Sequence, residues 1–276
     1  ALGGEMSEHR TGAPGRVKEV TSLANPLVKD IKALALKKFR DEQQAFMAEG
    51  LKLVIDALDL GWSIKTLVFA KSARGNPAVE KVAARTVASG GTVLEVSEKI
   101  LTAITRRDNP QAVVAVFAQV FTPLAALDPA AATCFVALHR VRDPGNLGTI
   151  VRTADAAGCG AVILVGECCD PFSVEAVRAT MGSIFAVPIV KASEAEFAGW
   201  RAGWSGSVVG TLLSAEVDHR QASYAKPALI LMGNEQQGLT PDMAALCDVN
   251  VKIPMRGRAD SLNLSVATGI MIYAAT

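Results

Sequence analysis

Apolar positions recur along the chain at two spacings, and the alternation between them predicts an α/β protein in two parts. From Asn25, the residues Leu27, Ile31 and Leu34 fall at helical spacing opposite Lys29, Lys32, Lys37, Lys38 and Arg40, which predicts an amphipathic helix with a solvated basic face. A short strand at 45–48, a helix near 51–60, a strand at 66–70, a helix at 78–88 and strands at 92–96 and 112–118 follow. Strands alternating with helices imply a small α/β layer. The stretch from Phe121 to Ala132 carries two prolines and little periodicity, and reads as a linker.

Past the linker the pattern predicts strands at 134–139, 161–165, 187–190, 207–212, 228–232 and 249–253. Helices are predicted at 147–157, 174–181, 194–202, 241–246 and 262–275. The run Ala228-Leu-Ile-Leu-Met232 is apolar on both faces, as a parallel strand covered by helices on both sides requires. The fold class expected is therefore α/β with a parallel sheet in the second part.

Length sharpens the division. At 276 residues the chain exceeds the usual single domain of about 100–150 residues. The expected order is a loose tail over 1–18, a first domain over 19–121, a linker over 122–132 and a second domain over 133–276. A composition of 50% hydrophobic and 20% charged residues excludes a disordered chain. Apolar runs such as 161–165 fall far short of the roughly 20 residues that cross a bilayer, so no membrane partner is expected. Net charge is only +1, but residues 1–122 hold 17 Lys/Arg against 13 Asp/Glu, making the first part the basic one. Five cysteines, an odd number without CxxC spacing, read as small buried residues of a cytoplasmic protein, and the start of the chain lacks a secretory-signal pattern.

Common cofactor signatures are missing. Neither GxGxxG nor GxxxxGK[ST] occurs, and Gly158-Cys-Gly160 and Gly90-Gly91 read as turns. His9, His139 and His219 are too scattered for a metal site, so no metal is expected.

Three dense polar segments remain, each after a predicted strand, where open α/β sheets place their ligands. The first, Arg142-Asp-Pro-Gly-Asn-Leu-Gly-Thr-Ile-Val-Arg-Thr-Ala154, makes a turn in which Asn146 can cap a helix, with Arg152 nearly two turns on and on roughly the same side. The second is Met232-Gly-Asn-Glu-Gln-Gln-Gly-Leu-Thr-Pro-Asp242. The third, Ile253-Pro-Met-Arg-Gly-Arg-Ala-Asp-Ser-Leu-Asn-Leu-Ser-Val-Ala267, runs into the last helix.

Together these segments resemble the SpoU/TrmH-type RNA 2′-O-ribose methyltransferases of the SPOUT class. Asn-x5-Arg, Gly-Asn-Glu-x2-Gly and Ile-Pro-Met…Ser-Leu-Asn-x-Ser stand in that family's order, over about residues 134–275. The stretch from Ser22 to Val54 also resembles the substrate-binding domain of members that act on ribosomal RNA. The resemblance implies a SPOUT domain with a deep trefoil knot, S-adenosylmethionine as cofactor, and a small ribosomal-protein-like α/β domain in front. It further implies a homodimer built on the last helix, where Leu262, Val266, Ala267, Ile270, Met271 and Ala274 are apolar almost all round.

By the same resemblance, Gly233, Ile253, Leu262, Thr211 and Leu212 would hold the cofactor. Arg152 stands at the catalytic-arginine position. A guanidinium is too weak an acid to serve as a base near neutral pH, so its fitting role is to bind the adjacent phosphate and the developing alkoxide. Asn146, Glu235, Ser261 and Asn263 would shape the catalytic loop with Ser265, and Arg142, Arg178, Arg256 and Arg258, with Arg140, are candidates for RNA phosphates. The function implied is methylation of a ribose 2′-hydroxyl in 23S-type ribosomal RNA, a group that DNA lacks. A tRNA ribose methyltransferase and a catalytically idle RNA-binding or ribosome-assembly factor stand as the alternatives.

Overall fold

The structure is a computed structural model and describes residues 16–276. The chain forms two compact units. One holds the described residues through Leu34 together with Met47–Ala118, and the other holds Ala35–Phe46 and Gln119–Thr276.

The elements run β1 (Arg16–Val20), α1 (Pro26–Ala33), α2 (Lys37–Gln43), β2 (Ala45–Glu49), α3 (Leu51–Asp59), β3 (Ile64–Ala70), α4 (Pro77–Ala88), β4 (Thr92–Val96), α5 (Glu98–Thr105) and β5 (Val113–Ala118). A five-stranded sheet of order β1-β4-β3-β5-β2 organises the first unit, with β4 parallel to β1 and β3, and β5 antiparallel to β3. Leu67, Leu94, Ile100, Leu101, Ile104 and Phe117 fill its core.

Four expectations are corrected here. The tail expected through residue 18 instead enters β1, paired in register with Thr92–Val96; residues 1–15 of that tail lie outside the described residues. Its alternation is hard to read because β1 is an edge strand whose Val17 is exposed while Val20 is buried. The single amphipathic helix is two helices, because Leu36 takes an extended backbone that ends one and starts the next. Arg40 is not on a solvated face. It is 4% exposed, and its Nε donates to Asp170 Oδ2 at 2.8 Å within the second unit. Helix α5, which was not predicted, is capped by Ser97, whose hydroxyl accepts from the Ile100 N–H.

The second unit continues with β6 (Cys134–His139), α6 (Pro144–Ala156), β7 (Val162–Val165), α7 (Val174–Thr180), β8 (Ile189–Ala192), α8 (Glu194–Arg201), β9 (Val208–Thr211), β10 (Val217–Asp218), β11 (Ala228–Met232), α9 (Pro241–Ala244), β12 (Val249–Lys252) and α10 (Leu264–Ala275). All seven strands are parallel, in the order β10-β12-β9-β11-β6-β7-β8. Every residue of β6, β7 and β11 is buried, which explains why all but the terminal His139 of β6 are apolar. Phe135, Ile163, Phe197 and Trp204 anchor the core. The segment read as a linker is not a free tether: Leu124, Leu127 and Ala132 pack against this core, and Thr122 N–H donates to the Ile189 carbonyl.

The strand order positions the site. The chain steps outward from β6 through β7 to β8, then returns to place β11 between β6 and β9. Connections leaving the strand ends therefore diverge at β6 and β11, which opens a crevice there.

Candidate functional site

The three polar segments converge on that crevice. A cavity of about 450 Å3 is lined by the chain after β9 (Thr211–Ser214), the loop after β11 (Asn234–Leu239), the stretch after β12 (Ile253, Met255) and the entry to α10 (Ser261, Leu262, Leu264, Ala267). Thr211, Leu212, Glu235, Ile253, Ser261 and Leu262, all singled out from sequence, lie on its wall. Leu262 does so because α10 starts at Leu264, two residues later than the pattern predicted.

Gly233 shapes the cavity without lining it. A Cβ at Gly233 would stand 2.0 Å from the Gly238 carbonyl carbon and 2.2 Å from the Leu239 nitrogen, so only glycine lets the loop fold back on the strand end. Asn234 holds that loop: its Oδ1 accepts from the Gln236 and Gln237 N–H groups at 3.1 and 2.7 Å, and its carbonyl accepts from Gly238 N–H. Sequence reading placed Asn234 in the Gly-Asn-Glu motif without giving it a role, although Asn after glycine at a strand end is a recognisable turn-forming signal, and it did not single out Gln236 or Gln237.

Two links tie the segments together. The Glu235 carboxylate accepts from the backbone N–H of Arg142, at 3.3 and 3.1 Å, and from that of Asp143 at 3.0 Å. Charge-assisted bonds of this kind fix a loop more firmly than neutral ones. Asn263 Nδ2 donates to Asn146 Oδ1 at 3.1 Å, while Asn263 Oδ1 caps α10 by accepting from Ser265 and Val266 N–H, with the Ser265 hydroxyl bonding the same oxygen. The expected role of Asn146 as a helix cap is corrected. Asp143 is the cap, its Oδ1 accepting from Asn146 N–H at 2.7 Å, and the helix begins at Pro144, so the Asn146 side chain is available to Asn263.

Arg152 sits on the exposed face of α6, outside the cavity wall, and its side chain makes no hydrogen bond or ion pair with the described residues. The next residue, Thr153, lies against α10 at Gly269. Arg142, Arg256 and Arg258 are exposed, and Arg178 is half-buried on α7. Arg140 is committed to Glu194 rather than free, with its Nη2 2.6 Å from Oε1.

The cavity wall suits a nucleoside-like cofactor. It combines aliphatic side chains with turn backbone that can read polar edges, at a size within the usual range for small-molecule sites. Among the described residues no group of three or more His, Cys, Asp or Glu could hold a metal, and no helix is long and apolar enough to cross a membrane.

The SpoU rRNA Methylase family model matches residues 133–273, and the MRM3-like substrate binding domain model matches residues 25–115. The chain is 31% identical over 257 residues to the 23S rRNA (guanosine(2553)-2′-O)-methyltransferase RlmP of Bacillus subtilis, covering 93% of this chain and 98% of that one. The crystal structure of an AdoMet-bound rRNA methyltransferase from Sinorhizobium meliloti superposes with a TM-score of 0.89 at 59% identity, over 94% of this chain and 97% of that one. The SpoU methyltransferase AviRb from Streptomyces viridochromogenes, solved with AdoMet, gives a TM-score of 0.80 at 29% identity, over 91% and 97% of the two chains. The chain belongs to the SpoU rRNA methylase family.

Proposed function

We propose that this protein transfers a methyl group from S-adenosylmethionine to a ribose 2′-hydroxyl of 23S-type ribosomal RNA. The observation that carries the reading is the pair of links, Glu235 to the Arg142–Asp143 backbone and Asn263 to Asn146, which ties the first polar segment to the two that line one cavity. A relative covering nearly the whole chain is named for this reaction on 23S rRNA.

Thr211, Leu212, Ile253 and Leu262 hold the cofactor by apolar contact and backbone groups, and Gly233 keeps the loop clear of it. When bound, S-adenosylmethionine supplies an electrophilic methyl on a sulfonium. The protein's part is alignment, because holding two reactants in line removes much of the barrier. Glu235 fixes the loop that begins α6, and Asn146 and Asn263 fix its relation to α10, with Ser261 on the cavity wall. Arg152 binds the phosphate beside the target ribose and stabilises the alkoxide as the hydroxyl proton leaves to water. Arg178, Arg256 and Arg258 contact neighbouring phosphates, and Arg142 contacts the RNA beside them.

The protein works as a homodimer in the cytoplasm, with a trefoil knot in its second domain. The exposed Leu213, Leu262, Val266 and Tyr273 at the cavity mouth and on α10 support the dimer, and the insertion of β11 between β6 and β9 supports the knot. Residues 19–121 recognise the RNA, supported by the match to a substrate-binding model.

The test is transfer from labelled S-adenosylmethionine to unmodified ribosomal RNA and tRNA in parallel, followed by digestion to nucleosides. Label on a ribose 2′-oxygen of ribosomal RNA is expected. Label in tRNA alone would move the substrate, and cofactor binding without transfer to either would mark an idle RNA-binding factor.

A further inference from the structure

Beside the cofactor cavity, and joined to it by the bond from Arg142 N–H to the Glu235 carboxylate, lies a second groove of about 590 Å3 over the ends of β6 and β7. It is lined by Arg140, Arg142, Glu167, Cys168, Cys169 and Glu194. We propose that this groove receives and reads the base of the nucleotide whose ribose is methylated. The inference rests on the function proposed above and names a specificity element within it.

The charge of the groove argues for a base rather than a phosphate. Arg140 is neutralised by Glu194, whose Oε1 accepts from Arg140 Nε at 2.8 Å and lies 3.0 Å from His139 Nε2. Those bonds hold the Glu194 carboxyl below its ordinary range, so the pairing persists at neutral pH. The remaining Arg142 and Glu167 carry opposite charges, and neither side chain has a hydrogen-bond or ion-pair partner among the described residues. Burial pushes the Cys169 thiol up to about 12 and raises Cys168 as well, so both stay neutral and form a soft, weakly polar wall. A neutral groove with one open cationic donor and one open anionic acceptor matches the edge of an unpaired base, where donors and acceptors alternate.

The groove is also built rather than incidental. Arg140 holds a left-handed backbone, φ 54°, directly after β6, a conformation that costs free energy and is concentrated at functional sites. Gly166 has φ 73°, and a Cβ there would lie 2.9 Å from Glu194 Oε1 and 3.4 Å from Arg140 Cγ. Glycine at 166 thus leaves room for the Arg140–Glu194 pair.

The experiment uses the full-length protein. After the methylated nucleotide is located, transcripts carrying each of the other three bases at that position are compared by kcat/KM and by RNA affinity. Wild type should favour the native base by about tenfold or more, the scale of one good side-chain-to-base pair. Glu167→Ala should bring the four substrates within about threefold of one another while leaving S-adenosylmethionine affinity unchanged, and Glu167→Gln, which keeps an acceptor oxygen, should restore part of the preference. Equal use of all four bases by wild type, or an undiminished preference in Glu167→Ala, would overturn the proposal. Failure of wild type to methylate any RNA would overturn the functional reading and this inference with it.

Discussion

Asn263 donates from Nδ2 to the side-chain oxygen of Asn146, across 117 positions of sequence, while its own oxygen caps the last helix. One side chain thus anchors α10 and the start of α6 at once.

Those two duties can be separated. Asn146→Ala leaves the Asn263 cap of α10 in place and removes the link, so stability should hold within about 0.5 kcal/mol while kcat falls about 100-fold through misalignment. Asn263→Ala should lose the same activity and about 1 kcal/mol of stability in addition. Thermal unfolding beside single-turnover kinetics separates the cases, and full activity in Asn146→Ala would remove the Asn146 link from the mechanism.

Gly233→Ala should damage cofactor binding specifically. The new Cβ would collide with the backbone of Gly238 and Leu239, which forces the loop outward at a cost of about 1–3 kcal/mol. Calorimetry should show S-adenosylmethionine affinity reduced by about tenfold or more, whereas an unchanged affinity would show that the loop can relax without disturbing the cavity.

The Arg40–Asp170 pair, with side chains only 5% and 10% exposed, should matter to stability far more than a surface ion pair. Arg40→Ala should cost about 3–5 kcal/mol by leaving a buried carboxylate without its cation, and replacing both partners by Met and Leu should recover most of that loss. Chemical denaturation of the two variants decides the point.

Glu194 gives a pH signature. Its carboxyl is lowered from 4.5 chiefly by the hydrogen bond with His139 and then by that with Arg140. A depressed folded value means the pairing contributes fully above the ordinary carboxylate range and is lost only as pH falls through the lower folded value. A carbon-detected NMR titration should therefore find the Glu194 midpoint below 4.5, moving up toward it in Arg140→Ala.

Much of this was legible in the sequence where the physics is local. The buried strands β6, β7 and β11 are apolar throughout but for His139 at the end of β6, and the three polar segments stand where strand ends must place them. What pattern could not reveal depends on partners remote in sequence. Arg40 looks like surface charge until Asp170, 130 residues away, is brought beside it. Asn146 looks like a cap because helix-start residues are interchangeable in pattern, and only the Asp143 side chain decides which is used. The edge strand β1 is half exposed and so carries half a signal. The Gly166–Arg140–Glu194 arrangement combines residues from three strand ends, which no linear spacing displays.

The most direct test of the account is Arg152→Ala, assayed for methyl transfer to ribosomal RNA alongside calorimetry with S-adenosylmethionine. Because Arg152 is exposed and lies off the cavity wall, cofactor affinity should match wild type while transfer falls by about 100-fold or more. Undiminished transfer to the ribose 2′-oxygen would contradict the catalytic role given to Arg152 and the site built around it.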